Sequence, residues 1–150
     1  MTKKMTINNL SGKSAEVLLY DEIGGWFGVD AKQFAQDIAD LDVDDLTVRV
    51  HSPGGDVWDG LAIMNSLKRH KAKVTIVVEG IAASAASFIA VGAADELVMS
   101  PHSELMIHDA MTFAAGNVAD LEAVIEHLNR ESDNVAAIYA ARAGGVVEQW

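Results

Sequence analysis

No cysteine occurs anywhere in the 150 residues. That excludes a disulfide framework and a thiolate metal site, and it suits a reducing, cytoplasmic compartment. Long apolar runs are missing too: no stretch reaches 18 apolar residues, so no transmembrane helix is expected. The start of the chain lacks the apolar segment of a signal peptide, because Lys3 and Lys4 lead into Asn8, Asn9, Ser11, Gly12, Lys13 and Ser14. Positive charge is scarce, with 11 Lys and Arg against 22 Asp and Glu and a formal net charge of −11. Such a balance argues against nucleic acid or an anionic membrane as partner and reads first as a solubility feature. The glycine patterns of phosphate loops and dinucleotide folds are absent. So is the ligand, glycine and final glutamate pattern of a calcium loop, which leaves Asp42, Asp44 and Asp45 as a solvated turn. No metal and no cofactor is expected.

Half of the residues are hydrophobic, enough for the core of one domain. Residues 1–14 are polar and read as a flexible segment, with the domain over 15–150. Ala15 to Tyr20 reads as a strand, and the glycine-rich stretch Asp21 to Gly28 as a loop carrying Trp26 and Phe27. Asp30 can cap a helix with Phe34, Ile38 and Leu41 on one face. Leu46 to Val50 is a second strand, followed by a helix with Val57, Leu61, Met64 and Leu67 inward and Lys68, Arg69, His70 and Lys71 in its last turn. The β-branched run Val74 to Val78 is a third strand, broken by Gly80, and Ala83 to Ala93 the next helix. Glu96 to Met99 and Glu104 to Ile107 are short strands around a Ser100-Pro101 turn. Phe113 to Gly116 is a loop, and Asn117 caps a long helix with Leu121, Val124, Ile125, Leu128, Val135, Ile138 and Tyr139 inward. Alternating strands and helices predict an α/β fold with a mostly parallel sheet. The sequence closes on Trp150, a large apolar residue without a cap or polar tail, as a domain whose C-terminal part is missing would.

Two junctions can carry chemistry. Ser52-Pro53-Gly54-Gly55 joins a strand to a helix, and its glycines let the backbone approach a ligand with N–H groups turned outward. Pro-Gly-Gly is also ordinary turn punctuation. Ser84 lies in a tract of small residues, Ala82 to Ala86, where a strand hands over to a helix with unpaired first-turn amides. That tract also suits two closely packed helices. A serine nucleophile needs a base. Of five histidines, His70 and His127 read as surface residues, His51 flanks the glycine turn and His102 sits beside Pro101. His108 ends the apolar strand Leu105-Met106-Ile107, so rigid structure places it. No acid is a convincing orienter: Asp109 points to the opposite face of an extended chain, and Glu104 sits at the strand's far end.

Together these segments resemble the Clp protease proteolytic subunit family, within the crotonase-like superfamily. Ser52-Pro53-Gly54-Gly55 is similar to the family's S-P-G-G turn. Gly80-Ile81-Ala82-Ala83-Ser84 is similar to its G-x-A-A-S nucleophile motif, and Pro101 to His108 to its P-x-S-x-x-M-I-H segment. The helix after Asn117 resembles the handle helix that interlocks subunits. The resemblance covers residues 15–150 and implies a crotonase-like spiral of β-β-α units with a long handle helix, truncated at the C-terminus. It implies Ser84 as nucleophile, His108 as general base, and the backbone N–H groups of Gly55 and Ala85 as the oxyanion hole, with Gly54 supporting the turn. The family's third catalytic residue follows the handle helix and has no counterpart here, and residues 1–14 do not resemble its segment for docking an unfoldase ring. Asp21 to Gly28 resembles the phage and prophage head-maturation subgroup, which implies processing of capsid or scaffold protein in a bacterial host cytoplasm, a homo-oligomeric ring, and leaves an ATPase partner open.

Other readings stand beside the serine endopeptidase. A crotonase-fold acyl-CoA enzyme shares the fold and paired amides but does not need Ser84 and His108 in this order. A non-catalytic ring-forming assembly module needs neither. A Ser–Lys dyad needs a placed lysine, and Lys68, Lys71 and Lys73 all cluster near a helix end.

Overall fold

A computed structural model of the chain describes residues 6–9 and 12–150, which fall into two compact units, Met1–Ile107 and His108–Trp150. The first unit is built on a six-stranded sheet with the order β1-β2-β3-β4-β5, and β6 also pairs with β4. Here β1 is Thr6–Asn9, β2 Ser14–Leu19, β3 Asp45–Ser52, β4 Lys73–Ala83, β5 Glu96–Met99 and β6 Glu104–Met106. Among the described residues, only the β1–β2 pair is antiparallel. Helices α1 (Ala31–Ala39), α2 (Val57–Arg69) and α3 (Ala85–Ala93) are the crossovers between successive parallel strands.

The sheet is two-faced. Val17, Leu19, Leu46, Val48, Val50, Val74, Ile76 and Val78 are buried, while the alternate Glu16, Thr47, Arg49, Thr75 and Val77 are only half-buried. A period of two with one apolar face means that helices cover one side only. On the other side Arg49 bridges Glu16 at 2.5 Å and Glu79 at 2.6 Å. Helices α2 and α3 cross closely, because a Cβ on Gly60 would lie 2.7 Å from the Phe88 ring and 3.1 Å from the Ala85 Cβ. Asp30 caps α1 through the Gln33 amide and Asp56 caps α2 through the Asp59 amide.

The second unit holds α4 (Val118–Ala143) and a 3₁₀ turn over Val147–Gln149. Asn117 and Asp120 form the reciprocal capping box that starts α4. Near its end, the Tyr139 ring lies 6.2 Å from the Trp150 ring, whose Nε1 donates to the Gly144 carbonyl at 3.1 Å. No helix among the described residues is long and apolar enough to cross a membrane.

The α/β class and the long final helix are as the sequence implies, and four details differ. Residues 6–9, expected to be flexible, form the edge strand β1 against β2, whereas residues 1–5, 10 and 11 lie outside the described residues. Gly80 does not break β4, which runs on to Ala83. The ladder with β3 shifts register instead, between Val50↔Val78 and Ser52↔Ala82, and the missing Cβ of Gly80 makes room for the His51 ring. The strand before His108 stops at Met106, because its partner β4 stops at Ala83 and no ladder remains to extend it. Finally, the apolar face of α4 is not inward throughout: Val135 and Tyr139 are buried, but Val118, Leu121 and Ile125 are exposed.

Candidate active site

The two junctions singled out from sequence meet within the first unit. Ser84 is the single residue between β4 and α3, at φ 52° and ψ −123°. A non-glycine residue there costs about 1–3 kcal/mol, which the surrounding structure must enforce. Three contacts do so. The Ser84 amide donates to the Met106 carbonyl of β6 at 2.9 Å, and the Ser84 carbonyl accepts from the Ser87 amide at 2.9 Å and the Ser87 hydroxyl at 2.6 Å. The Ser84 hydroxyl makes no capping bond, and the side chain is half-exposed between buried Ala82, Ala83, Ala85 and Ala86. A sharp strand-to-helix elbow that lifts a hydroxyl clear of the backbone is the geometry of a nucleophile turn.

The glycine turn lies directly against this elbow. A Cβ on Gly54 would be 2.5 Å from the Ala83 carbonyl oxygen, 2.7 Å from the Ser84 Cβ and 2.8 Å from the Ala85 nitrogen. Only a hydrogen fits, and the φ of +89° at Gly54 also favours glycine. The small-residue tract therefore serves close packing and access together: the neighbours it admits are α2 and the glycine turn. The amides divide their work. That of Gly54 is spent on the Ser52 hydroxyl at 3.1 Å, whereas those of Gly55 and Ala85 make no hydrogen bond among the described residues. Ala85 opens α3, so its amide is one of the helix's orphan donors.

Ser52 and Ile23 are the positioning residues that sequence reasoning missed. The fully buried Ser52 donates its hydroxyl to the Asp21 carbonyl at 2.6 Å while accepting from Gly54. The Ile23 amide donates to the Gly54 carbonyl at 2.8 Å, and the Ile23 carbonyl accepts from the Asp56 amide at 2.9 Å. These bonds fix the loop at residues 21–28 to the glycine turn, while Gly55 itself is exposed. A serine before Pro-Gly-Gly whose hydroxyl bonds two residues ahead is a known turn device and was the available signal.

His108 is the first residue of the second unit and follows β6 by two residues. Its Nδ1 lies 2.6 Å from the Asp109 carbonyl oxygen. A carbonyl only accepts, so Nδ1 carries a proton, and in the neutral imidazole Nε2 is then the nitrogen with the lone pair. The Asp109 backbone carbonyl, and not its side chain, holds this tautomer. His51 is engaged elsewhere: its Nδ1 accepts from the Ile81 amide at 3.3 Å and its ring meets Tyr20 edge-on at 5.8 Å. His70 bonds the Leu41 carbonyl at 3.1 Å. Lys71 pairs with Asp42, and Lys73 with Glu96 at 3.0 Å.

A model of the Clp protease family matches residues 13–150. Over 101 residues, 67% of the chain, the sequence is 36% identical to the ATP-dependent Clp protease proteolytic subunit of Oltmannsiellopsis viridis, covering 52% of that protein. Over 108 residues, 70% of the chain, it is 37% identical to the ATP-dependent Clp protease proteolytic subunit of Streptococcus sanguinis, covering 55% of that protein. The chain thus spans about half the length of the curated relatives it matches.

Proposed function

The chain belongs to the Clp protease family, and from that premise we propose that it is a serine endopeptidase with Ser84 as nucleophile and His108 as general base. The Ser84 oxygen attacks the scissile carbonyl while His108 Nε2 takes the hydroxyl proton and returns it to the leaving amine. The amides of Gly55 and Ala85 stabilise the oxyanion, a contribution of roughly 10²–10³ in rate per donor. Water then hydrolyses the acyl-enzyme. The observation that carries this reading is the strained elbow at Ser84, packed against the Gly54 turn with two amides unspent beside it.

The finer placement is maturation of phage heads: the substrate is a capsid or scaffold polypeptide in the bacterial cytoplasm, and the loop Asp21 to Gly28 is the feature that supports it. Assembly into a homo-oligomeric ring is part of the same reading. Its support is the exposed stripe Val118, Leu121 and Ile125, spaced as a helix seam that a second copy can cover.

Fluorophosphonate labelling tests the chemistry. Wild-type protein labels at Ser84, Ser84→Ala does not, and His108→Ala labels at least about 10²-fold more slowly. Processing of a co-expressed capsid or scaffold protein that persists unchanged in Ser84→Ala would sink the assignment.

A further inference from the structure

The loop fixed to the glycine turn carries large apolar side chains into solvent. Trp26 is 92% exposed, Phe27 79% and Trp58, the outward residue of the first turn of α2, 57%. Isolated exposed apolar residues need no explanation, but these three belong to one continuous piece of structure. A Cβ on Gly24 would lie 2.6 Å from Asp59 Oδ2 and 2.9 Å from the Asp56 Cβ, so the base of the loop packs on the first turn of α2. Ile23 ties the same loop base to Gly54 and Asp56. The aromatic side chains therefore flank the turn that carries the Gly55 amide.

The charge around them is mostly negative, with Lys32 of the first turn of α1 the one nearby base along the chain. Glu22, Asp30, Asp56 and Asp59 lie on the loop, its end and the first turn of α2, and no described Lys, Arg or His is paired with any of them. Burial first, then the charges of Asp56 and Asp30, pushes the Asp59 carboxyl up from its ordinary value. Aromatic faces bind the cationic heads of Lys and Arg, their methylene stems lie well on apolar surface, and a surrounding field of carboxylates favours the same groups.

We propose that Trp26, Phe27 and Trp58, set among Glu22, Asp30, Asp56 and Asp59, form a substrate-recognition surface for polypeptide segments bearing Lys or Arg near the scissile bond. This surface rests on the peptidase reading of Ser84, and it makes these aromatics specificity-determining residues for that reaction. It selects through binding and touches no reacting atom.

The test is equilibrium binding of two fluorescein-labelled peptides to the full Ser84→Ala chain, identical except for Lys or Glu at the flanking positions. The Lys peptide binds at least about tenfold tighter. Trp58→Ala and Trp26→Ala each reduce that preference toward unity, as does Asp30→Asn, which keeps the helix cap. Asp45→Asn, an exposed acid at the start of β3 and so at the opposite end of that strand from the glycine turn, leaves it unchanged and so separates local recognition from the overall negative charge. Equal binding of the two peptides overturns the proposal, as does a preference that the two tryptophan variants do not move. Fluorophosphonate labelling of the wild-type chain reads the peptidase assignment separately. A chain that labels at Ser84 but binds both peptides equally loses the recognition surface and keeps the peptidase. One that fails to label yet prefers the Lys peptide through Trp26 and Trp58 keeps the surface and loses the peptidase.

Discussion

Replacing Gly54 by alanine adds one carbon atom at the most crowded point of the site. Two costs arise there. At a φ of +89° an alanine pays about 1–2 kcal/mol for the left-handed backbone. The added Cβ would also stand 2.5–2.8 Å from the Ala83 oxygen, the Ser84 Cβ and the Ala85 nitrogen. Backbone atoms at these distances cannot swing aside as a flexible side chain would, so overpacking adds about 1–3 kcal/mol. Gly25→Ala provides the control. Its φ of +71° carries a similar backbone cost, but nothing lies within 4 Å of its would-be Cβ. The difference between the variants isolates the steric part, about 1–3 kcal/mol, or roughly 2–12 °C in Tm for a chain of this size. If the turn relieves the clash by sliding away from Ser84, stability recovers but the Gly55 amide moves, and fluorophosphonate labelling falls by about 10²-fold or more. Thermal denaturation and labelling of both variants therefore read the same contact in two ways. Gly54→Ala with the Tm of Gly25→Ala and the labelling rate of wild type would refute the close approach of turn and elbow.

Ser84→Gly relieves the φ of 52° and is expected to raise stability by about 1–2 kcal/mol in chemical denaturation while abolishing labelling; a loss of stability would show that the elbow is not strained. Asp59→Asn stabilises at neutral pH, because a raised carboxyl makes the folded state hold its proton more tightly than the unfolded one. Stability is then fullest below the unfolded value and falls as pH rises through the folded one, so the gain from Asn vanishes below about pH 4 in pH-dependent melts. Asp42 has the opposite sign: hydrogen bonds from Lys13 and then Lys71 hold its carboxyl at about 2, so its contribution is present above about pH 4 and is lost as pH falls toward 2. Asp42→Asn should flatten the stability profile across that window and lower stability by a constant amount above it. Ile125→Glu, on the exposed stripe of α4, should shift the protein to smaller species in sedimentation velocity without lowering its Tm, and unchanged assembly would remove that stripe from the interface.

The strands and helices were legible because their signals are local. Val17 and Leu19, or Val48 and Val50, alternate along a chain whose strands are separated by capped helices, and Asp30 and Asn117 mark helix starts by side-chain chemistry alone. What sequence could not supply depends on partners far along the chain. Gly80 reads as a breaker until His51, on the neighbouring strand, is seen to occupy the space where its Cβ would stand. The extent of β6 follows from where β4 stops, not from its own residues. Leu121 and Val135 belong to the same helical stripe, yet one is exposed and the other buried. For the site, Gly54 and Ser84 were legible as types in a pattern, whereas the roles of Ser52, Ile23 and the Asp109 carbonyl are hydrogen-bonding facts that residue identity does not encode.

The loop between β2 and α1 has a closed base. The Gly24 amide meets the Val29 carbonyl at 2.9 Å, and the Val29 amide meets the Glu22 carbonyl at 2.8 Å. Ser52 and Ile23 bolt that base to the glycine turn. Residues 25–27 therefore stand outside the bolted frame, as an interchangeable head on a fixed mount. Because closing a loop costs little more as its length grows, such a head can be exchanged or lengthened while the mount holds the turn against Ser84. In the proposed peptidase, selectivity can thus drift by replacement of a few tip residues, without retuning the chemistry beneath them.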